Sequence, residues 1–121
     1  MTIQDDLDQL RAQTPGCELS AFGDLSSSLI LRFSAESRMP REKLDQLCTR
    51  AERGFGVLEL AKEFHTERVI SFSESHTEVF ARAMASPDDI VCMAMEAGHD
   101  IETAAQAAQK LVQRYAEGDG S

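Results

Sequence analysis

A helix with one apolar face has to lie on something, and the last third of this sequence holds such a helix directly after three strand-like runs. Ile101, Ala104, Ala105, Ala108, Leu111, Val112 and Tyr115 recur at i, i+3, i+4, i+7, i+10, i+11 and i+14, which puts all seven on one side. Glu102, Gln106, Gln109, Lys110 and Gln113 point away from them. Asp100 is the expected N-cap, and Glu102 sets a carboxylate in the first turn, where the helix dipole favours it. The alanines of the stripe allow a close approach to the support. The expected support is a sheet formed by the run from Arg68 to Ala97.

The rest of the chain supplies the other elements. Thr2 can cap a first helix whose apolar positions are Ile3, Leu7 and Leu10, with Asp5 and Asp6 in its first turn and Thr14-Pro15-Gly16 ending it. Cys17, Leu19 and Ala21 alternate with Glu18 and Ser20, Gly23-Asp24 is the expected turn, and Leu29, Leu31 and Phe33 alternate with Ile30 and Arg32, giving a hairpin. Pro40 suits the start of a second helix with the stripe Leu44, Leu47, Cys48 and Ala51. Gly54-Phe55-Gly56 interrupts that stripe, and Val57, Leu60, Ala61 and Phe64 resume it, so one bent helix and two separate pieces both fit. Strands are expected at Arg68 to Ser73, Thr77 to Met84 and Ile90 to Ala97, with turns at Glu74-Ser75-His76 and Ser86-Pro87-Asp88-Asp89. The resulting fold class is α+β, a five-stranded antiparallel sheet flanked by helices in the order α-β-β-α-β-β-β-α. One domain over residues 1–116 and a small, acidic, frayed tail over 117–121 complete the expected organisation.

Charge and composition narrow the function classes. The formal charge of −9 opposes binding to a phosphate backbone, so no nucleic-acid partner is expected. No run approaches the roughly 20 apolar residues that span a bilayer. The start, MTIQDDLDQL, is acidic where a signal peptide is basic, so a cytoplasmic protein with no membrane insertion is expected. Between Arg32 and Arg53 six basic and four acidic residues give +2, leaving −11 to the remainder. Such a segment reads either as a docking face or as an ordinary solvated helix. Cys17, Cys48 and Cys92 stand far apart among apolar neighbours with no C-x-x-C pair, the pattern of buried structural thiols.

Catalytic chemistry finds little support in the same residues. Gly54-Phe55-Gly56 lacks the spacing and the Lys-Ser/Thr of a phosphate loop. His65, His76 and His99 form no metal-binding pair, and Cys92, beside Val91 and Met93, is a poor nucleophile even if His65 or His76 were near. Asp88 and Asp89 suit a turn. The expectation is a protein with no catalytic centre, no cofactor and no metal.

The element order, the short acidic first helix, Pro15-Gly16 before the first strand and the closing amphipathic helix together resemble the roadblock / dynein light chain family from about Thr2 to Ala116. The resemblance implies a profilin-like fold and a homodimer that pairs the second helix of each copy and the edge strand after it. It implies a non-enzymatic platform for small Ras-like GTPases or for motor and signalling assemblies. Carried onto this chain, the interface comprises Leu44, Leu47, Cys48 and Ala51 with Val69, Ile70, Ser71 and Phe72. The basic residues Arg41, Lys43, Arg50 and Arg53 would orient the partner. An apolar edge strand needs a cover or a partner in any case. Two other classes fit the size and charge: a small acidic chaperone for secreted proteins, and a ligand-sensing module with a closed apolar pocket.

Overall fold

The Thr2 hydroxyl accepts a hydrogen bond from the amide of Asp5, and the Asp5 carboxylate accepts one from the amide of Thr2, closing a capping box that starts helix α1 (Ile3–Gln13). The structure is a computed structural model and describes residues 2–60, 67–73 and 75–117. Strands β1 (Cys17–Asp24) and β2 (Leu29–Ala35) follow, then helix α2 (Arg41–Leu60), strands β3 (Arg68–Phe72), β4 (His76–Ala83) and β5 (Ser86–Glu96), and helix α3 (Ile101–Ala116). All pairings are antiparallel and the sheet order is β2-β1-β5-β4-β3, so β5 is central while β2 and β3 are the edges. Among the described residues, no helix is long and apolar enough to cross a membrane.

Helices cover both faces of the sheet. On one face Leu7 and Leu10 of α1 and the α3 stripe pack on Val79, Ala81, Val91, Met93 and Met95. Ala104, Ala105, Ala108, Leu111 and Val112 are all buried, and Ile101 and Tyr115 close the ends of the stripe. The layer is tied at its rim: the Tyr115 hydroxyl donates to Asp6 at 2.6 Å and Arg114 reaches the same carboxylate at 2.9 Å. Burial, together with the acidic neighbour, pushes the Tyr115 hydroxyl up to about 12. On the opposite face α2 packs over Leu19, Ala21, Phe80, Ile90 and Cys92.

Local details depart from the sequence expectations at two turns, and the alternatives left open for the second helix resolve to one. The turn falls at residues 25–28, because β1 continues through Gly23-Asp24 with a register shift at Phe22/Gly23; the Asp24 carboxylate then accepts bonds from the hydroxyls of Ser26 and Ser27. Ser86-Pro87-Asp88-Asp89 begins β5, and the turn moves to residues 84–85. The β4–β5 register jumps between Arg82 and Ala83, so the missing amide of Pro87 interrupts no regular ladder. Helix α2 runs unbroken through Gly54-Phe55-Gly56, with Phe55 fully buried beneath the Arg82 guanidinium at 4.5 Å. The helical continuation expected at Ala61 and Phe64, His65, the turn residue Glu74 and the tail beyond Glu117 lie outside the described residues.

The two α2 glycines play different parts. A Cβ on Gly54 would stand 2.7 Å from Val69 Cγ1, so the bare backbone lets α2 approach β3 closely, whereas a Cβ on Gly56 would meet nothing within 4 Å. Gly56→Ala should therefore raise unfolding stability by about 0.5–1 kcal/mol through helix propensity. Gly54→Ala should lower it by about 1 kcal/mol or more, since a stiff valine must yield. Denaturant unfolding of the two variants reads both signs; equal effects would mean that α2 and β3 are not in close contact.

Candidate docking face on the second helix and the edge strand

Helix α2 divides cleanly by exposure. Leu44, Leu47, Cys48 and Ala51, the helix positions carried over as interface residues, are 0–2% exposed and pack against the chain's own sheet, so they supply core and not surface. Phe55 extends this inner stripe one turn further. With Phe55 turned inward, Val57 and Leu60 do not resume the stripe; they stand out at 65% and 87% exposure. The outer face of the helix is formed by Arg41, Asp45, Thr49 and Arg53, alongside a shallow groove of about 620 Å³.

The four cations read as orienting residues have separate fates. The Arg50 guanidinium donates from Nε and Nη2 to both oxygens of Glu78 on β4, each at 2.6 Å. That doubly bonded carboxylate raises the Arg50 pKa and holds the side chain flat over the sheet. Arg41 pairs with Asp45 one turn along at 3.4 Å, with about half of each side chain exposed (52% and 52%). Lys43 and Arg53 are exposed and make no ion pair among the described residues. Lys43 lines a second depression, of about 410 Å³, with Arg38, Glu18 and His76.

Strand β3 pairs with β4 alone among the described residues. Val69 is half-buried under Gly54, Ile70 is half-buried, Ser71 is exposed, and Phe72 is 71% exposed. Arg68 ties the start of the strand to α3 by bonds to Glu102 at 2.9 Å and Gln109 at 2.6 Å. Between the strand and the second half of α2 lies an open groove of about 600 Å³ whose walls include Arg53, Val57, Val69 and Ile70. Val57, Leu60 and Phe72 are the three most exposed large apolar side chains among the described residues, and all belong to these two elements.

Nothing comparable gathers around the candidate catalytic groups. His76 sits at the rim with Glu18 at 3.0 Å and the Ser75 hydroxyl at 2.9 Å, and His99 lies 3.7 Å from Glu96. Among the described residues no group of three His, Cys, Asp or Glu is placed to hold a metal. The cysteines are free and buried, as their apolar flanks predict. Burial pushes Cys17 and Cys48 up to about 11, and fully buried Cys92 rises well above its ordinary value, mainly for the same reason. A rise of about two units cuts the thiolate fraction about a hundredfold. All three thiols should accordingly react with Ellman's reagent at pH 8 at least about a hundredfold more slowly in the native protein than in guanidinium. One thiol reacting at the unfolded rate would reveal an open, reactive site.

No protein-family model matches the sequence, and no curated protein does. Solved structures do match. A Roadblock/LC7 domain from Streptomyces avermitilis superposes with a TM-score of 0.79 at 10% identity, over 98% of each chain. The gliding protein MglB from Thermus thermophilus gives 0.73 at 15% identity, over 94% of this chain and 87% of that one. An MglB structure in a tetrameric arrangement gives 0.73 at 15% identity, over 95% and 88%. The five-stranded sheet with its three helices is the Roadblock/LC7 fold.

Proposed function

We propose, taking the Roadblock/LC7 fold as the premise, that this chain is a non-enzymatic docking domain. It works as a homodimer joined through the outer face of α2 and the open edge of β3, and the dimer receives a small Ras-like GTPase. The observation that carries this reading is the placement of Val57, Leu60 and Phe72: the most exposed apolar side chains sit on the helix and the edge strand that a second copy would cover. The assembly of MglB, a fold neighbour, in a tetrameric arrangement supports association of copies as a use of this fold. The inner stripe Leu44, Leu47, Cys48 and Ala51 contributes indirectly by fixing α2 on the sheet.

Dimer formation is tested by light scattering after size exclusion at low micromolar concentration. The expected mass is twice 13.3 kDa. Val57→Glu combined with Phe72→Glu should return the protein to 13.3 kDa with little change in melting temperature, because both side chains are 65% or more exposed. A wild-type mass of 13.3 kDa under these conditions contradicts the reading.

Partner orientation then falls to Lys43, since Arg50 is held by Glu78, Arg41 by Asp45, and Arg53 lies on the outer face of α2 that the second copy would cover. Complementary charge mainly sets approach rate and register. Immobilised dimer should retain a Ras-like GTPase from host extract, and Lys43→Glu should slow that association severalfold at low salt while leaving the melting temperature unchanged. Extract that yields no GTPase, or binding indifferent to Lys43→Glu and to salt, would count against the GTPase assignment.

A further inference from the structure

Strand β2, at the far edge of the sheet from β3, is an apolar run with a single charge, Arg32. Ile30 is buried beneath α2, while Leu29 and Leu31 stand 43% and 45% exposed. Among the described residues β2 pairs with β1 alone. A strand of this composition with one free side is a template on which strands of other chains can add.

One backbone bond gives the phase of the ladder. The Glu36 amide donates to the Glu18 carbonyl at 3.0 Å. In an antiparallel pair, residues that exchange such bonds alternate with residues that turn their backbone groups the other way. With Ser34 opposite Ser20 and Phe33 opposite Ala21, Ser34 addresses β1, and Phe33 and Ala35 turn their amides and carbonyls to the free side. A strand adding there has to exchange two bonds with Phe33.

That position is already taken. The side-chain amide of half-buried Gln4, on α1, donates to the Phe33 carbonyl at 2.9 Å and to the Asp8 carboxylate at 3.2 Å. Both partners are acceptors, so the orientation of the amide is fixed and both of its hydrogens are used. Asp8, one turn along α1, thus holds the blocking group in place. Beside it the Arg32 guanidinium donates to the Leu31 carbonyl at 2.9 Å. Arg32 is exposed and makes no ion pair among the described residues, so it sets an uncompensated positive charge on the edge. The β1–β2 register also skips Leu31, since Ile30 pairs with Gly23 and Arg32 with Phe22, and such a bulge bends the strand.

We propose that Gln4 and Arg32 close the β2 edge to strand addition, so that any association through the sheet is confined to the β3 side. A chain open at both edges could add copies without limit, whereas one closed at β2 ends its sheet there. This closure holds whether or not the β3 side takes a second copy.

The test uses the whole chain. Gln4→Ala combined with Arg32→Val removes both blocking groups and should associate through β2. Light scattering at tens of micromolar should then give a mass at least about twice that of the wild type, with the native circular dichroism spectrum kept. Adding Leu31→Lys, which puts a charge back on the opened strand, should return the mass to the wild-type value. Amide exchange reads the same edge without relying on a variant: in the wild type the amides of Phe33 and Ala35 should exchange at rates independent of protein concentration. In the double variant they should slow at least about tenfold as concentration rises. A folded double variant with the wild-type mass, or association that Leu31→Lys leaves intact, would overturn the proposal. So would wild-type amides at Phe33 and Ala35 that gain protection with concentration.

Discussion

The sheet is buried on both faces, and on one of them α2 is the one covering helix among the described residues. β5, at the centre, turns Val91, Met93 and Met95 to α1 and α3, and Ile90 and Cys92 to α2. Two helices share the first face, whereas among the described residues α2 is the one helix on the second. Its whole inner stripe, from Leu44 to Phe55, is therefore buried in the chain's own core, where each large side chain contributes about 1.5–3 kcal/mol by leaving water. The outward side of α2 and the edge of β3, which pairs with no further strand among the described residues, are left as the surface proposed for association. The candidate docking face is thus a consequence of how the core is closed.

The same constraint explains how the glycines of α2 are tolerated. Each costs about 1 kcal/mol of helix propensity relative to alanine. Gly54 is needed because Val69 occupies the space its Cβ would take, and Phe55 beside it anchors the helix beneath Arg82. Close contact between α2 and β3 makes the helix and the edge strand one continuous surface. Arg50 reinforces it by bridging to Glu78 on β4, the strand that carries β3.

Much of this architecture was legible in the residues. The period of 3.6 in α3, the Thr2 cap and the alternation in the strands were local signals, and they gave the element order that the structure has. The turns were less legible, since Gly23-Asp24 and Ser86-Pro87 carry turn chemistry but lie where antiparallel neighbours hold them in strands. The proposed interface was the hardest part to read. Periodicity says that Leu44, Leu47, Cys48 and Ala51 face something apolar, and it does not distinguish the chain's own sheet from a second copy. The bond from Arg50 to Glu78, 28 residues away, exists only once the sheet is assembled, which is why Arg50 reads as a free cation in the sequence. At 10–15% identity to these fold neighbours, what is shared is the fold rather than particular side chains.

The central claim is that α2 is closed to its own sheet on one side and, with the edge of β3, meets a second copy on the other. Amide hydrogen exchange of β3 measured across protein concentration tests this most directly. The account predicts that the amides from Val69 to Phe72 become protected as concentration rises through the dimerisation range, while those of buried β5 stay equally slow throughout. Exchange in β3 that is fast and independent of concentration, in a protein otherwise shown to be dimeric, would contradict it.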